Sequence, residues 1–334
     1  MSREPAFRLA EPADVGALVA LLRRSLGPAM SEELWRWKHL ESPFGPSPVL
    51  LAEAGGRIVG VRAFMRWRFR SGEREVEAVR AVDTATDPEW RRRGLFSELT
   101  RRLAESVREQ GAAFVFNTPN RVSRRGYLRL GWSRVARVPV RVRGRPLAAL
   151  ARRLAPGTAP AAPPGGFPPV AELLARPELP GLLRAAESRP DPRYRTPRTV
   201  PYLAWRYGAA PALDYSAAWS FRAGRAAAVV FRRRARGGID QLLVSEVLAS
   251  DREAARTLGA DLLRRLAAEA GADSLAAIAP RGSLAGEALR AARFLPVPAL
   301  GPLVTARRLA WTGETPDPLR WRSWCCSLGD LEVF

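Results

Sequence analysis

The chain has 334 residues, enough for two domains of ordinary size, and its 47% hydrophobic and 26% charged residues indicate a folded protein with a sizeable core. One histidine and two adjacent cysteines argue against a histidine-based metal site, a catalytic triad and a disulfide framework. No uncharged apolar run approaches the ~20 residues of a membrane span, and the N-terminus lacks an apolar signal segment. We therefore expect a soluble, cytoplasmic protein with no metal and no membrane partner.

The charge balance is strongly basic, with 54 basic and 33 acidic residues and a net charge of +21. A charge of this size is typical of nucleic-acid-binding proteins. However, Lys38 is the only lysine, and the arginines are dispersed along the chain rather than clustered. An arginine excess of this kind is typical of GC-rich coding, so we do not predict a nucleic-acid partner.

The N-terminal part alternates strand and helix patterns. The predicted elements are a strand at 7–9, a helix opened by Pro12, a helix from Ser31, strands at 49–53, 58–67 and 75–86, a helix around 96–107, a strand at 113–116 and a short helix ending near Leu130. This order predicts one α/β domain of about 140 residues.

Prolines interrupt every helical pattern between residues 141 and 198, which predicts a Pro-rich linker with short helices. The part that follows repeats landmarks of the first domain. Trp37 and Trp205 are 168 positions apart, and Pro119 and Pro280, each at the end of an apolar strand, are 161 apart. We therefore predict an internal duplication, with domains at 1–140 and 199–334 joined by the 141–198 linker.

The clearest chemical signal is the junction between the strand that ends at Thr86 and the helix that begins near Phe96. An arginine-rich loop, residues 91–94, connects them. A helix start carries unpaired N–H groups and the positive end of the helix dipole, and Gly94 allows the backbone to approach a ligand closely. The junction therefore predicts a cradle for a pyrophosphate.

This junction resembles the acyl-CoA loop of the GNAT superfamily of N-acetyltransferases, which has the pattern Gln/Arg-x-x-Gly-x-Gly/Ala. Arg91, Gly94 and Phe96 occupy the three positions, and Phe96 is larger than the usual small residue. A second family pattern follows at the expected distance and is matched at every position, by Asn120, Ser123, Tyr127, Gly131 and Trp132. The resemblance covers about residues 5–140.

The resemblance implies an α/β fold with two GNAT-like domains, each a mixed, mostly antiparallel central sheet flanked by helices. It also implies acetyl-CoA as the acyl donor. The residues implied in donor binding are Thr84, Ala85 and Thr86 on the strand, Arg91, Arg92, Arg93, Gly94, Leu95, Phe96 and Ser97 at the loop and helix start, and Asn120 and Ser123 downstream.

Acyl transfer to an amine needs an oxyanion donor, an acid and a base, but no metal. The resemblance implies that Tyr127 donates a proton to the departing thiolate. Asp83 is a candidate base beside the donor strand, although strand alternation places it on the face opposite Thr84. In some multi-domain relatives the C-terminal carboxylate is the base, which makes Phe334 a second candidate.

The second copy retains only part of these features. Residues 256–259 match the 91–94 loop at an offset of 165, but Asp261 lies where the first copy has Phe96, and no tyrosine matches Tyr127. A carboxylate at that position would repel a pyrophosphate. We therefore expect a degenerate domain that shapes the acceptor pocket or supports the first domain, and a second CoA site without chemistry is the alternative.

Taken together, the sequence predicts an N-acetyltransferase that moves an acetyl group from acetyl-CoA to a primary amine of a small molecule or protein, by direct attack in a ternary complex. Two alternatives stay open: a tandem protein of this fold that uses aminoacyl-tRNA or binds tRNA, and an acyl-CoA-binding protein without activity. A net charge of +21 disfavours cationic polyamines and aminoglycosides as acceptors, because the summed field repels them.

Overall fold

The computed structural model describes residues 4–27, 30–144, 166–236, 239–298 and 301–331. The chain divides into two compact units, one of Met1–Ala136 with Leu303–Ser323 and the other of Arg137–Pro302 with Trp324–Phe334. Each unit is built on one sheet. Among the described residues, no helix is long and apolar enough to cross a membrane.

The sheet of the first unit has seven strands. These are β1 (Ala6–Leu9), β2 (Val49–Ala54), β3 (Arg57–Ser71), β4 (Arg74–Thr86), β5 (Phe114–Asn117), β6 (Ser133–Arg137) and β13 (Leu303–Arg308), in the order β1-β2-β3-β4-β5-β13-β6. Strands β4 and β5 are parallel, whereas the pairs β1–β2, β2–β3, β3–β4 and β5–β13 are antiparallel.

Four helices accompany this sheet: α1 (Val15–Leu26), α2 (Glu32–His39), α3 (Leu95–Glu109) and α4 (Arg121–Arg129). Helix α2 begins where the sequence predicts, because the Ser31 hydroxyl caps it by accepting from the Leu34 N–H at 3.0 Å. The predicted apolar face of α3 is the buried one: Leu99, Leu103 and Val107 are fully buried. Each contributes about 2 kcal/mol by its burial.

The sheet of the second unit has six strands: β7 (Val140–Gly144), β8 (Tyr215–Arg222), β9 (Arg225–Arg236), β10 (Ile239–Ala249), β11 (Ser274–Ala277) and β12 (Leu295–Val297), in the order β12-β7-β11-β10-β9-β8. Strands β10 and β11 are parallel, and all other pairs are antiparallel. The run β8–β9–β10–β11 thus has the same directions as β2–β3–β4–β5. The predicted fold class, two α/β domains with mixed, mostly antiparallel sheets, is confirmed.

The helices of the second unit are short, apart from the composite stretch 252–269. They are α5 (Val170–Leu174), α6 (Leu179–Glu187), α7 (Val200–Leu203) continued by a π-helical turn (Ala204–Gly208), α8 (Arg252–Ala254) continued by a π-helical turn (Ala255–Gly259) into α9 (Ala260–Glu269), α10 (Leu284–Ala291) and α11 (Leu328–Leu331).

Two strands belong to other sheets than the predicted domain boundaries at residues 140 and 198 imply. Strand β7 lies in the predicted linker but pairs with β11, and β13 lies in the predicted second domain but pairs with β5. Each strand satisfies its backbone hydrogen bonds with a distant segment, which local patterns do not reveal. Residues 145–165, which include Pro156, Pro160, Pro163 and Pro164 of the predicted linker, lie outside the described residues.

Candidate active site

Strands β4 and β5 separate after a short parallel ladder. The ladder runs from the pair Ala78–Phe114 to the pair Arg80–Phe116, whereas the ladder of β4 with β3 continues to Thr86. In the described residues, the β5-facing edge of β4 beyond Arg80 therefore has no strand partner. Exposed strand edges offer N–H and C=O groups to an extended ligand that carries amides.

A β-bulge lies on the open part of β4. Arg62 pairs with Thr84 and Ala63 pairs with Val82, so Asp83 is the extra residue. Bulges redirect backbone groups and are common beside active sites. The Thr84 hydroxyl donates to the Val61 carbonyl at 3.1 Å, and Ala85 is buried, so the donor-binding groups predicted on this strand are backbone groups.

The loop and helix start that the sequence predicts as a pyrophosphate cradle form an exposed junction. Arg91, Arg92, Arg93 and Gly94 are exposed, and α3 begins directly after them at Leu95. Gly94 has φ +82°, and no atom lies within 4 Å of the position of an added Cβ. Arg92 has φ 64°, a value that side-chain-bearing residues adopt rarely and mostly at functional sites.

The N-cap residue Gly94 makes no side-chain hydrogen bond to α3, and its carbonyl accepts from the Ser97 N–H at 3.0 Å. The N–H groups at the very start of the helix are those that a ligand could bind. Around this opening, Arg91 Nε donates to the Thr86 carbonyl at 3.3 Å, and the guanidinium of Arg93 lies 4.8 Å from the ring centre of Trp90. Two of the three arginines are thus held in place beside the helix start. The geometry suits a doubly charged phosphate group.

The first turn of α3 is joined to α4 by aromatic packing. The rings of Phe96 and Tyr127 lie edge to face with centres 5.5 Å apart. A Cβ on Gly126 would meet Phe96 Cε1 at 2.7 Å, so glycine in α4 makes room for the large residue in α3. Leu95 is buried in the core and Ser97 is half-buried. Phe96 is larger than the family pattern expects, and Gly126 provides the space for its ring.

Asn120 caps α4. Its Oδ1 accepts from the Ser123 N–H at 2.8 Å and from the Ser123 hydroxyl at 3.0 Å. Both predicted ligand-binding residues thus have a structural role in starting the helix. The helix in turn positions Tyr127, which is 3% exposed and packs against Trp132 with ring centres 5.3 Å apart.

Asp83 belongs to a buried polar cluster with Lys38, His39 and Ser47. Asp83 Oδ2 lies 2.9 Å from Lys38 Nζ and 2.8 Å from His39 Nε2. The second ring nitrogen of the histidine, Nδ1, lies 2.9 Å from the Ser47 hydroxyl. An ionised carboxylate only accepts, so Nε2 donates to Asp83 and Nδ1 accepts the hydrogen of Ser47.

The charges in this cluster are set by burial and by Lys38. Burial alone raises the pKa of Asp83, but the charge of Lys38 and the hydrogen bond from His39 outweigh it and hold that pKa well below its usual range. Burial lowers the pKa of His39, and the Lys38 charge lowers it further, against the opposing effect of Asp83. At pH 7 the carboxylate is therefore ionised and the imidazole neutral.

These charges do not support the role of base predicted for Asp83. A carboxylate whose pKa is depressed, and which two donors already bind, accepts a proton poorly. The neutral His39 is the group in the cluster that can take one. No local sequence pattern predicts this contact, because the histidine is 44 residues from Asp83 and contacts it only in the folded chain. The other predicted base, Phe334, lies outside the described residues.

The second unit repeats the strand geometry but not the cradle. Strands β10 and β11 separate after the pair Val244–Ala277, and Ser245 is the extra residue of a bulge. The segment predicted to match the loop is helical, because Asp251 Oδ1 accepts from the Ala254 N–H at 2.8 Å and starts the helix earlier. This carboxylate occupies the helix start where the first unit is open.

A cavity of about 400 Å³ lies where β10 and β11 separate. Its wall includes Glu246 and Arg198, whose Nη2 lies 3.0 Å from Glu246 Oε1 and 2.9 Å from Asp330 Oδ2. Burial raises the pKa of Glu246, and the nearby guanidinium only partly offsets this. The space that corresponds to the first unit's strand opening is therefore partly filled by a buried ion-pair network.

Comparison with known proteins agrees with this geometry. Residues 6–135 match the family model of the acetyltransferase (GNAT) domain. Among solved structures, the chain resembles a GCN5-related N-acetyltransferase from Anabaena variabilis, with 13% identity over 91% of this chain and 73% of that one and a TM-score of 0.63. Comparison with curated proteins gives no match.

Two further structures cover both units. A GCN5-related N-acetyltransferase from Kribbella flavida has 18% identity over 92% of this chain and 72% of that one, with a TM-score of 0.56. Eis1 from Mycobacterium abscessus has 17% identity over 91% and 73%, with a TM-score of 0.54. At these identities the likeness concerns the fold. The chain therefore has the GNAT fold, and its residues 6–135 match the acetyltransferase (GNAT) domain.

Proposed function

We propose that the first unit transfers the acyl group of an acyl-CoA, acetyl-CoA in the simplest case, to a primary amine. The observation that carries this proposal is the open start of α3 at Gly94 beside the unpartnered edge of β4. A pyrophosphate fits the first of these features, and a chain with amide groups fits the second. An acyl-CoA carries both groups in one molecule.

Different residues around this opening bind different parts of the donor. The backbone of 92–96 holds the pyrophosphate, and the arginines of the loop add charge. The β4 backbone from Thr84 to Thr86 pairs with the pantetheine amides. At the bulge, a redirected N–H group donates to the thioester carbonyl and stabilises the negative charge that develops there during attack.

Three groups, Tyr127, Ser47 and His39, move protons in the proposed reaction. The Tyr127 hydroxyl gives its proton to the sulfur as the carbon–sulfur bond breaks. The amine nitrogen forms the new bond to the carbonyl carbon and loses a proton to the Ser47 oxygen, while the Ser47 hydrogen moves to His39 Nδ1. The resulting imidazolium is stabilised by Asp83, which thereby acts as a positioning residue.

The test is turnover with a panel of amines: free amino acids, amino sugars and peptide N-termini. Free thiol release that depends on both acetyl-CoA and an amine, with a product heavier by one acetyl group, supports the proposal. Binding of acetyl-CoA without turnover on any amine, or turnover that is insensitive to substitution of Tyr127, contradicts it. A steeply salt-dependent complex with tRNA favours the nucleic-acid alternative instead.

A further inference from the structure

Arg62 is a buried cation that has no ion pair among the residues that the structure describes. It lies on β3 and is 0% exposed. Its Nε, Nη1 and Nη2 atoms have no hydrogen-bond partner among the described residues. Arginine keeps its charge in proteins and has five N–H donors, so this side chain holds a full positive charge with its donors unused. Buried polar groups without partners are rare and call for an explanation.

Aromatic rings surround the guanidinium instead of acceptors. Its carbon lies 4.8 Å from the ring centre of Phe64, 5.0 Å from that of Tyr127 and 5.7 Å from that of Phe96. The face of an aromatic ring attracts a cation, but it does not accept a full hydrogen bond from an N–H group. The cation–π energy is also smaller than the free-energy cost of removing water from a buried ion. The arrangement is that of a pre-oriented anion site enclosed by apolar walls.

The position of Arg62 identifies which part of a donor would reach it. Its register partner is Thr84, directly after the bulge, and the register partner of Phe64 is Ala81, before the bulge. The guanidinium therefore lies at the level of the bulge, where the proposed function places the thioester. The pyrophosphate has its own site at Gly94, so the anion at Arg62 belongs to the acyl group.

We propose that Arg62 binds a carboxylate at the far end of the acyl group, so that the preferred donor is a dicarboxylic acyl thioester of the malonyl or succinyl type. This inference rests on the proposed function and narrows its donor. The amine attacks the thioester carbon, the carbon–sulfur bond breaks, and the sulfur keeps the electron pair and takes a proton. The distal carboxylate does not react, so the acceptor exchanges a cationic amine for an amide that carries a negative charge.

The test is calorimetric titration of the full chain with CoA, butyryl-CoA and succinyl-CoA. Butyryl and succinyl groups have the same number of carbons and differ in the terminal carboxylate. We expect succinyl-CoA to bind about tenfold more tightly than butyryl-CoA, the effect of one charge-assisted bidentate contact. In Arg62→Met this ratio should fall to about one, and in Arg62→Lys it should be intermediate, because lysine keeps the charge but not the fork.

Arg68→Met is the matched control, since Arg68 lies on the same strand but is partly exposed and pairs with Glu77. It removes one positive charge and should keep the tenfold ratio. Equal binding of both donors by the wild type overturns the proposal, even if Arg62→Met does not fold. A ratio that survives in a folded Arg62→Met also overturns it. If CoA itself does not bind, the proposed function is overturned as well. If CoA binds but succinyl-CoA and butyryl-CoA bind equally, only the role of Arg62 is overturned.

Discussion

The hydroxyl of Tyr127 is the acid of the proposed reaction, and its ring is fixed by Phe96 and Trp132. Tyr127→Phe keeps this packing and removes only the proton donor. We expect turnover to fall about 100-fold, with the affinity for acetyl-CoA nearly unchanged. Steady-state kinetics combined with calorimetry checks both quantities. A loss of affinity with full turnover would show that the hydroxyl binds the donor and does not act as the acid.

His39 links the chemistry to stability, because it is the only histidine and it is fully buried. Its pKa is lower in the folded protein than the usual 6.5, so below pH 6.5 the unfolded chain binds more protons. The neutral, buried His39 therefore contributes to the free energy of unfolding in full above pH 6.5. This contribution is lost as the pH falls from 6.5 towards the lowered pKa.

We therefore predict that His39→Asn flattens the pH dependence of stability between pH 7.5 and pH 5. For one group the slope is at most ~1.4 kcal/mol per pH unit. Urea unfolding at several pH values measures it. Because asparagine also loses contacts with Asp83 and Ser47, the comparison is between slopes and not between absolute stabilities. Equal slopes for the wild type and the variant would contradict the lowered pKa.

At the scale of single residues, local spacing predicted Arg91, Gly94 and Tyr127 and the elements that carry them. It did not predict Arg62 or the contact of His39 with Asp83. Arg62 has no neighbour in sequence that marks it, since its surroundings come from β3, α3 and α4. Strand alternation predicted Asp83 on the face opposite Thr84, but the bulge and α2 determine what the carboxylate contacts.

The junction of α3 with α4 depends on a large residue opposite a glycine. Alanine normally stabilises a helix over glycine by about 1 kcal/mol, but in Gly126→Ala the new Cβ meets Phe96 Cε1 at 2.7 Å. We expect Gly126→Ala to destabilise the protein by about 1–3 kcal/mol through overpacking. In a Phe96→Ala background the same change should become stabilising, because the ring is absent.

A double-mutant cycle by urea unfolding measures this coupling. Additive effects of Gly126→Ala and Phe96→Ala would mean that the ring and the helix do not contact each other.

At the scale of elements, the periodic patterns of α1, α2 and α3 and the β2–β3 hairpin were predictable because each arises within one segment. The packing of Phe96 on α4 was not predictable, because it joins two segments.

The first unit of the molecule contains one strand from a distant part of the sequence. Strand β13 lies between β5 and β6, although the chain reaches it only after the second sheet is complete. Without it, β5 and β6 lose their common partner and leave unpaired edges. The sequence landmarks indicated a duplication but not the pairing of β13 with β5, because strand pairing over such a separation leaves no local pattern.

We therefore predict that residues 1–140 alone do not form a stable domain. Residues 1–136 joined by a flexible linker to 303–323 contain every segment of the first unit and should unfold cooperatively on heating. Circular dichroism and thermal unfolding of the two proteins provide the comparison. A stable, cooperative 1–140 fragment would show that β13 is dispensable.

Calorimetric titration with acetyl-CoA shows whether the opening at Gly94 binds an acyl-CoA. Gly94→Trp places a side chain over the open helix start. Gly72→Trp is the matched control, because Gly72 also has a positive φ and open surroundings but lies in the turn between β3 and β4, at the opposite end of β4. We expect binding by the wild type and Gly72→Trp, and none by a folded Gly94→Trp. Binding that survives in Gly94→Trp, or no binding by the folded wild type, would contradict it.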